Sequence, residues 1–387
     1  MKKFFLICIM CICTISMILG LMTQRDVQIT YATAEVDLSS ISACLVDYES
    51  GELLFEKDAK KQVPVASMVK MMTILLTLED IKEERISLDD KLTTSENASS
   101  MGGSQVFIDP YVKYSIEDML KSVIMASAND ASVALAEHLN GSEEAFVKRM
   151  NKRAKELGMG NTNYVNCTGL PAPEQFSCAY DSVIVMKNIL KHDLYHKYST
   201  IWMDKLAHKG GRETELVNTN KLIRYYEGCD GGKTGSTNEA GCCLCASAKR
   251  GGMRLISCIV GAENSKTRFN ECSKLFNYGF ANFENQTLIN TNNVLSDLKV
   301  TQGKESSISV YAEENFTALV KKGDLSKWSY EVVLPENIKA PIQTGSVVGK
   351  ILIMKNGEVV KEINLISKQN VEKISFGDSF KKVVECW

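Results

Sequence analysis

Apolar and polar positions alternate in blocks of different period along this chain. After an apolar run from Phe4 to Met22, Ile41–Val46 and Leu53–Phe55 flank a turn through Asp47, Ser50 and Gly51, the pattern of a β-hairpin. Beyond Pro64 the period turns helical. Ser67 to about Leu78 predicts a helix, and Met71, Met72, Ile74, Leu75, Leu76 and Leu78 make it apolar nearly all round, hence buried. Ser115 with Asp118 resembles a capping box for the next helix. Further helices are expected at Ala131–Leu139 and Glu143–Leu157, the latter stopped by Gly158. Strand patterns return at Gly241–Ala248 and Leu255–Val260. A hairpin, then helices, then strands argues for an α+β domain with an antiparallel sheet flanked by helices, not for βαβ repeats.

The character changes again near Val294. Ser307–Tyr311, Tyr330–Leu334, Val347–Met354 and Glu358–Leu365 read as short strands, and Asn356-Gly357 marks a hairpin turn between the last two. The division that follows is a leader at 1–34, an α+β domain at 35–290, a small all-β domain at 291–375 and a short helix at 376–387. In that last segment Phe376, Phe380, Val383, Val384 and Trp387 form one stripe with Lys381 and Lys382 beside it, as in helices that lie on anionic membrane surfaces.

Composition narrows the setting. Of 387 residues, 44% are hydrophobic, enough for a substantial core, and the net charge of −2 gives no reason to expect nucleic acid as a partner. Lys2 and Lys3 precede the apolar run, and Ala32-Thr33-Ala34 follows it, the arrangement of a secretory signal peptide. The run is also nearly long enough for an uncleaved membrane anchor. Either way the body of the protein is expected outside the cytoplasm, on the outer face of the membrane or in the cell wall. Of the 13 cysteines, Cys8, Cys11 and Cys13 fall in the leader. Cys242 and Cys245 lie an odd number of residues apart on a predicted strand, so they face opposite ways and cannot share a metal. We read the cysteines as small buried hydrophobes.

Only four histidines are present, none in a Ser/His/Asp setting, so a serine nucleophile would need another base. Ser67-Met68-Val69-Lys70 supplies one. Positions i and i+3 share a helix face, and burial lowers a lysine's pKa until its amine can accept a proton. Ser67 near the helix start also meets the positive end of the helix dipole. The spacing alone is weak, because Ser296–Lys299 and Ser379–Lys382 match it too. Ser127-Ala128-Asn129 is a second element, with decoys at Ser95-Glu96-Asn97 and Ser236-Thr237-Asn238. Lys233-Thr234-Gly235 occurs once, against an expectation of about 0.1 at average residue usage.

The three elements stand in the order of the serine penicillin-recognising enzymes, 60 and 106 residues apart. With their flanks, Val65–Thr73, Ser127–Asp130 and Gly228–Thr237, they resemble the low-molecular-weight D-alanyl-D-alanine carboxypeptidases. Asn166–Pro171 with Ala179–Asp181, and Ala340–Ile342 with Gly345 and Gly349, extend the resemblance over nearly the whole chain. Cys178 departs from it, since relatives more often carry Thr or Ser there. The resemblance implies that Ser67 attacks the penultimate D-alanine carbonyl of a peptidoglycan stem peptide and becomes an acyl-enzyme. It implies Lys70 as the base, Ser127 as the proton donor to the leaving amine, and Asn129 as the residue holding Lys70 and the substrate amide. Lys233 would keep the field positive, Thr234 and Arg268 would bind the terminal carboxylate, and the N–H groups of Ser67 and Ser236, beside Gly235, would form the oxyanion hole. β-Lactam antibiotics are implied as inhibitors, with no cofactor and no metal.

Other readings fit less well. Gly228–Thr234 nearly spells a phosphate-binding loop, but Glu227 stands where its first glycine belongs. His192 and His196 have zinc-peptidase spacing without the usual glutamate or a third ligand, so a solvated helix face is expected. Lys148, Arg149, Lys152, Arg153 and Lys155 are likewise read as a solvated face. A β-lactamase of the common kind needs a Glu-x-x-x-Asn element between Asn129 and Lys233, and none occurs. A non-catalytic wall-binding protein is disfavoured because every catalytic position is filled.

Overall fold

The computed structural model describes residues 36–377. The leader at 1–34 and all but the start of the expected helix at 376–387 lie outside them.

Strands β1 (Ser42–Asp47) and β2 (Leu53–Lys57) form the expected hairpin, closed where the Asp47 carboxylate accepts hydrogen bonds from Ser50. A 3₁₀ turn, Ala66–Val69, leads into α1 (Lys70–Lys82). Ser67 therefore precedes the α-helix, which differs from the expected start and follows from the tight backbone around it described below. The ribbon of β3 (Lys91–Thr93) and β4 (Lys113–Ser115) encloses the short α2 (Glu96–Ser99). In α3 (Ile116–Met125), Ser115 Oγ accepts from Asp118 N at 3.0 Å and donates to the Asp118 carboxylate at 2.6 Å, so the capping pair closes on itself. Helices α4 (Asn129–Asn140), α5 (Glu143–Glu156), α6 (Ala179–Ile189) and α7 (Asp193–Ser199) follow. The hairpin of β5 (Met203–Ala207) and β6 (Glu213–Val217) and the single turn α8 (Leu222–Tyr225) precede β7 (Cys229–Thr237), β8 (Gly241–Arg250), β9 (Met253–Ala262) and α9 (Ser265–Asn282).

The main sheet is antiparallel, in the order β2-β1-β9-β8-β7, which leaves β7 at an edge. Side chains alternate across it. Cys44, Cys258 and Cys245 sit opposite one another on the face covered by α1 and α6. Leu45, Leu244 and Ile259 fill the other face with Leu275 and Phe276 of α9. Eight of the nine described cysteines are buried free thiols, used as small core residues.

The second region is all β: β10 (Phe283–Ile289), β11 (Ser296–Thr301), β12 (Ser307–Ala312), β13 (Phe316–Lys321), β14 (Trp328–Val333), β15 (Ile338–Lys339), β16 (Val347–Lys355) and β17 (Glu358–Ser367). Six of these form one sheet around Val310, Ile351, Ile353 and Leu365, while β10 and β13 pair separately. The β16–β17 turn has Asn356 at φ 53° and Gly357 at φ 83°, the left-handed pair that makes Asn-Gly a hairpin turn.

Two expected solvated faces are corrected. In α5, Arg149 Nη1 donates to Asp80 Oδ2 at 2.7 Å and Arg153 Nη2 to Glu79 Oε1 at 2.7 Å. Spaced i, i+4, the two arginines face the end of α1, and Lys148, Lys152 and Lys155 remain exposed. His192 lies before the first turn of α7 rather than within it, and both histidines are half-buried. The His196 ring meets the Leu190 carbonyl at 3.2 Å and Arg254 Nη1 at 3.2 Å, so the histidine pair is not a helical i, i+4 pair.

Candidate active site

The turn carrying Ser67 is held from two sides by backbone. Gly235 of β7 lies so close that a Cβ there would sit 2.7 Å from the Val65 carbonyl and 3.0 Å from Ser67 N. Gly169, at φ 83°, would place a Cβ 2.1 Å from the Ala66 carbonyl. Neither position admits a side chain. Between them Ala66 adopts φ 49°, a left-handed conformation that costs an alanine free energy and persists only where the surroundings enforce it.

One residue past that turn, Lys70 opens α1 and is fully buried. Its Nζ donates to Ser67 Oγ at 2.9 Å and to the Thr168 carbonyl at 2.5 Å. Burial in the apolar core brings its pKa from 10.5 down to about 7, against smaller opposing effects of Cys167 and Asp130. A neutral amine at this distance can take the hydroxyl proton as Ser67 attacks a carbonyl.

Ser127 sits between α3 and α4 at φ 61°, a second strained residue facing the same space. Its hydroxyl accepts from Lys233 Nζ at 2.6 Å, and Lys233 also donates to the Thr234 carbonyl at 3.0 Å. Lys233 is buried and its pKa is driven well down, first by burial and then by the charges of Lys70 and Arg268. The charges of Lys70 and Arg268 thus add to burial in opposing the ionisation of Lys233. Asn129 behaves differently from the expectation. Its amide nitrogen donates to the Gly102 carbonyl at 2.6 Å, and its buried Oδ1 has no hydrogen-bond partner. It makes no hydrogen bond to Lys70, whose place of attachment is the Thr168 carbonyl.

Thr234, Gly235 and Ser236 run along the sheet edge and line a cleft of about 450 Å³ with Ser67, Ser127 and Arg268. Arg268, in the first turn of α9, donates through Nη1 to the Gly235 carbonyl at 3.0 Å and the Cys243 carbonyl at 3.3 Å. Among the described residues its buried Nε has no partner and no carboxylate lines the cleft beside it, leaving a positively charged end to the cleft.

The family profile described as D-alanyl-D-alanine carboxypeptidase matches residues 28–264, and that described as penicillin-binding protein 5, C-terminal domain, matches residues 283–373. The chain belongs to the D-alanyl-D-alanine carboxypeptidase family. It is 40% identical to the D-alanyl-D-alanine carboxypeptidase DacF of Bacillus subtilis over 92% of each chain. Among solved structures it resembles penicillin-binding protein 5 of Haemophilus influenzae, with a TM-score of 0.69 and 32% identity, covering 87% of this chain and 98% of that one. A shorter relative, penicillin-binding protein D2 of Listeria monocytogenes in its ampicillin-bound form, gives a TM-score of 0.57 at 32% identity over 64% of this chain and 99% of that one.

In this family member several contributors to the site escape motif reading. The Thr168 carbonyl is a backbone atom and has no residue signature. The neighbouring Cys167 carbonyl accepts from Thr73 Oγ1 at 3.1 Å and Ser132 Oγ at 2.9 Å, tying the 166–171 loop to α1 and α4. Thr219 Oγ1 bonds Thr234 Oγ1 at 2.9 Å, and Trp202 and Lys221 line the cleft from the loops beside the β5–β6 hairpin. The asparagine-rich stretch Asn218–Asn220 was the available signal for that wall. Of the decoys, Ser95 caps α2, Ser296 lies on β11, and Ser379 falls outside the described residues.

Proposed function

We propose that this protein is a serine-type D-alanyl-D-alanine carboxypeptidase that removes the terminal D-alanine from peptidoglycan stem peptides and is acylated by penicillin. The observation that carries the reading is a fully buried Lys70 with its amine 2.9 Å from Ser67 Oγ and its pKa brought to about 7, in a chain of this family. Ser67 attacks the penultimate D-alanine carbonyl while Lys70 takes its proton. The oxyanion forms between the N–H groups of Ser67 and Ser236, where Gly235 lets strand and turn approach. Ser127, bonded to Lys233, delivers a proton to the leaving amine, and Thr234 and Arg268 receive the terminal carboxylate. Asn129, freed from Lys70, has an acceptor available for the substrate amide. Lys70 then activates the deacylating water. Residues 35–290 form the catalytic domain and 291–375 a β domain. Residues 1–34 direct export, and 376–387 rest on the membrane surface, which places the enzyme at the outer face of the membrane or in the wall.

Incubation with a fluorescent penicillin and mass mapping of the labelled peptide tests this reading. Label on Ser67, slow turnover of penicillin and release of D-alanine from a diacyl-D-Ala-D-Ala peptide are expected. Fast penicillin hydrolysis with no D-alanine released would instead indicate a β-lactamase.

A further inference from the structure

A second recess, of about 620 Å³, opens where the α+β region meets the β region. Its walls are the β1–β2 turn with Glu49 and Glu52, Gly252 of the β8–β9 turn, and residues of β10, β13 and β14. It lies away from the catalytic cleft. Cys242, near the start of β8, pairs with Ser236, whereas Gly252 follows the other end of that strand at Arg250. At about 3.3 Å per residue, roughly 25 Å of strand separates the two places. A recess of this volume at the junction of two regions has the size and setting of a ligand site.

Phe316 and Trp328, both half-buried, form a tilted pair with ring centroids 5.7 Å apart and give the recess an aromatic wall. Lys355 closes one side. Its ammonium lies 5.4 Å from the centre of the Trp328 ring and pairs with Glu52 at 2.7 Å, tying the β1–β2 turn to β16. Lys361 pairs with Glu314 at 2.8 Å. The lining charges, Glu49 and Glu52 against Lys355 and Lys361, cancel, so nothing here draws a polyanion or a polycation. The remaining polar groups are mainly amides. Asn315 Oδ1 accepts from Thr291 N at 2.8 Å, which leaves its Nδ2 hydrogens to donate. The Asn285 amide makes no side-chain hydrogen bond among the described residues. An aromatic wall with uncommitted amides and no net charge has the chemistry of saccharide recognition. The C–H face of a pyranose rests on the electron-rich face of an aromatic ring, and its hydroxyl and acetamido groups exchange hydrogen bonds with side-chain amides.

We infer that this recess binds a neutral glycan strand of N-acetylated amino sugars, separately from the catalytic cleft. Phe316 and Trp328 support the sugar rings, and Asn285 and Asn315 bond the acetamido and hydroxyl groups. The choice of an amino-sugar polymer, and that part alone, rests on the proposed function, because stem peptides hang from such a polymer. A strand held here while its peptide reacts at Ser67 is held at two points, which raises the effective concentration of stem peptides at the cleft.

The test is calorimetric titration of the full-length protein with tetra-N-acetylchitotetraose, an amino-sugar chain without stem peptides. Saturable binding that salt leaves unchanged is expected, since no ion pair forms with the ligand. Asn285→Ala and Asn315→Ala should each weaken it about two- to tenfold, the worth of one hydrogen bond. Trp328→Ala should weaken it about tenfold or more, and Trp328→Tyr, which keeps an aromatic ring, should retain most of it. None of these variants should alter kcat/KM for D-alanine release from a soluble diacyl-D-Ala-D-Ala peptide, whereas release from intact peptidoglycan should fall. Absence of binding, or binding untouched in both asparagine variants, overturns the inference. Displacement of the saccharide by a free stem peptide would put it in the catalytic cleft and overturns the inference as well. If saccharide binding follows these substitutions while Ser67 takes no penicillin and no D-alanine is released, the carboxypeptidase reading falls and the glycan site stands.

Discussion

Two stretches of this chain carry the same spacing of serine and lysine and differ in everything around it. Ser67 and Lys70 lie on a 3₁₀ turn running into a buried helix, where residues three apart meet and the amine reaches the hydroxyl at 2.9 Å. Ser296 and Lys299 lie on strand β11, where residues an odd number apart point to opposite faces. Lys299 is exposed to water, whereas Lys70 has none. The chemistry thus belongs to the period of the backbone and to the solvent around the amine, not to the spacing. Backbone closeness from Gly169 and Gly235 adds what no side-chain pattern records, a turn that holds Ser67 in one place.

The comparison is broken most directly by removing each hydroxyl. Ser67→Ala should abolish penicillin labelling and lower D-alanine release by about 10³-fold or more, since a nucleophile has no substitute. Ser296→Ala should change neither. Label that persists in Ser67→Ala, or maps to Ser296, would reverse the assignment.

The lysines give the next largest effect. Because the Lys70 amine must be neutral to accept a proton, the acylation rate should rise with pH through about 7 and then level. An arginine at that position cannot give up its proton, so Lys70→Arg should lower acylation by about 10²–10⁴-fold and erase the rise near 7. Lys299→Arg should leave the pH profile of acylation unaltered. A profile in Lys70→Arg that still climbs through 7 would move the base elsewhere, Lys233 being the first candidate.

How much of this was legible in the sequence depends on which physical feature carries it. The helix of Met71–Leu78, the hairpin around Asn356-Gly357 and the sheet strands at Gly241 and Leu255 stand out because burial imposes a period on side chains. The order of the three motifs pointed to the same cleft that gathers Ser67, Ser127 and Thr234. The Thr168 carbonyl, the left-handed Ala66 and Ser127, and the long helix α9 left no such trace. The first two are matters of backbone, and α9 is mixed in character, with Arg268 and Glu271 buried among its apolar residues. The basic stretch of α5 was misread because charge alone does not reveal a partner. Asp80 and Glu79 lie about 70 residues earlier in the chain.

Stability offers a third way to sharpen the contrast. In the unfolded chain Lys70 keeps its proton to about 10.5, and in the folded protein it loses it at about 7. Between those values the unfolded state binds more protons, so stability rises with pH across that window, and below 7 the cost of the buried ammonium is present in full. Lys70→Met should therefore stabilise the fold at pH 7, by about 1–3 kcal/mol once the lost contacts to Ser67 and Thr168 are deducted. The gain should shrink above pH 7 and vanish near 10.5. Lys299→Met, on the exposed strand, should stay within about 0.5 kcal/mol at any pH. Equal responses in denaturant titrations of the two variants would mean that Lys70 is better solvated than its surroundings indicate.

The smallest effect separates scaffold from chemistry inside the catalytic region itself. Cys178 is the N-cap of α6, and its sulfur accepts from Asp181 N at 3.3 Å. Burial raises the thiol's pKa to about 12, so the sulfur stays neutral and is a weak acceptor for the helix's first N–H groups. Serine accepts more strongly there, and α6 packs directly against α1, which begins with Lys70. Cys178→Ser should raise stability by about 0.5–1 kcal/mol and shift Tm upward, while the rate and pH dependence of acylation remain as they were. A loss of stability would mean that the larger sulfur's packing outweighs the better cap. A changed acylation profile would mean that the Ser67 turn is not held by Gly169 and Gly235 alone but also senses how firmly α6 is anchored behind it.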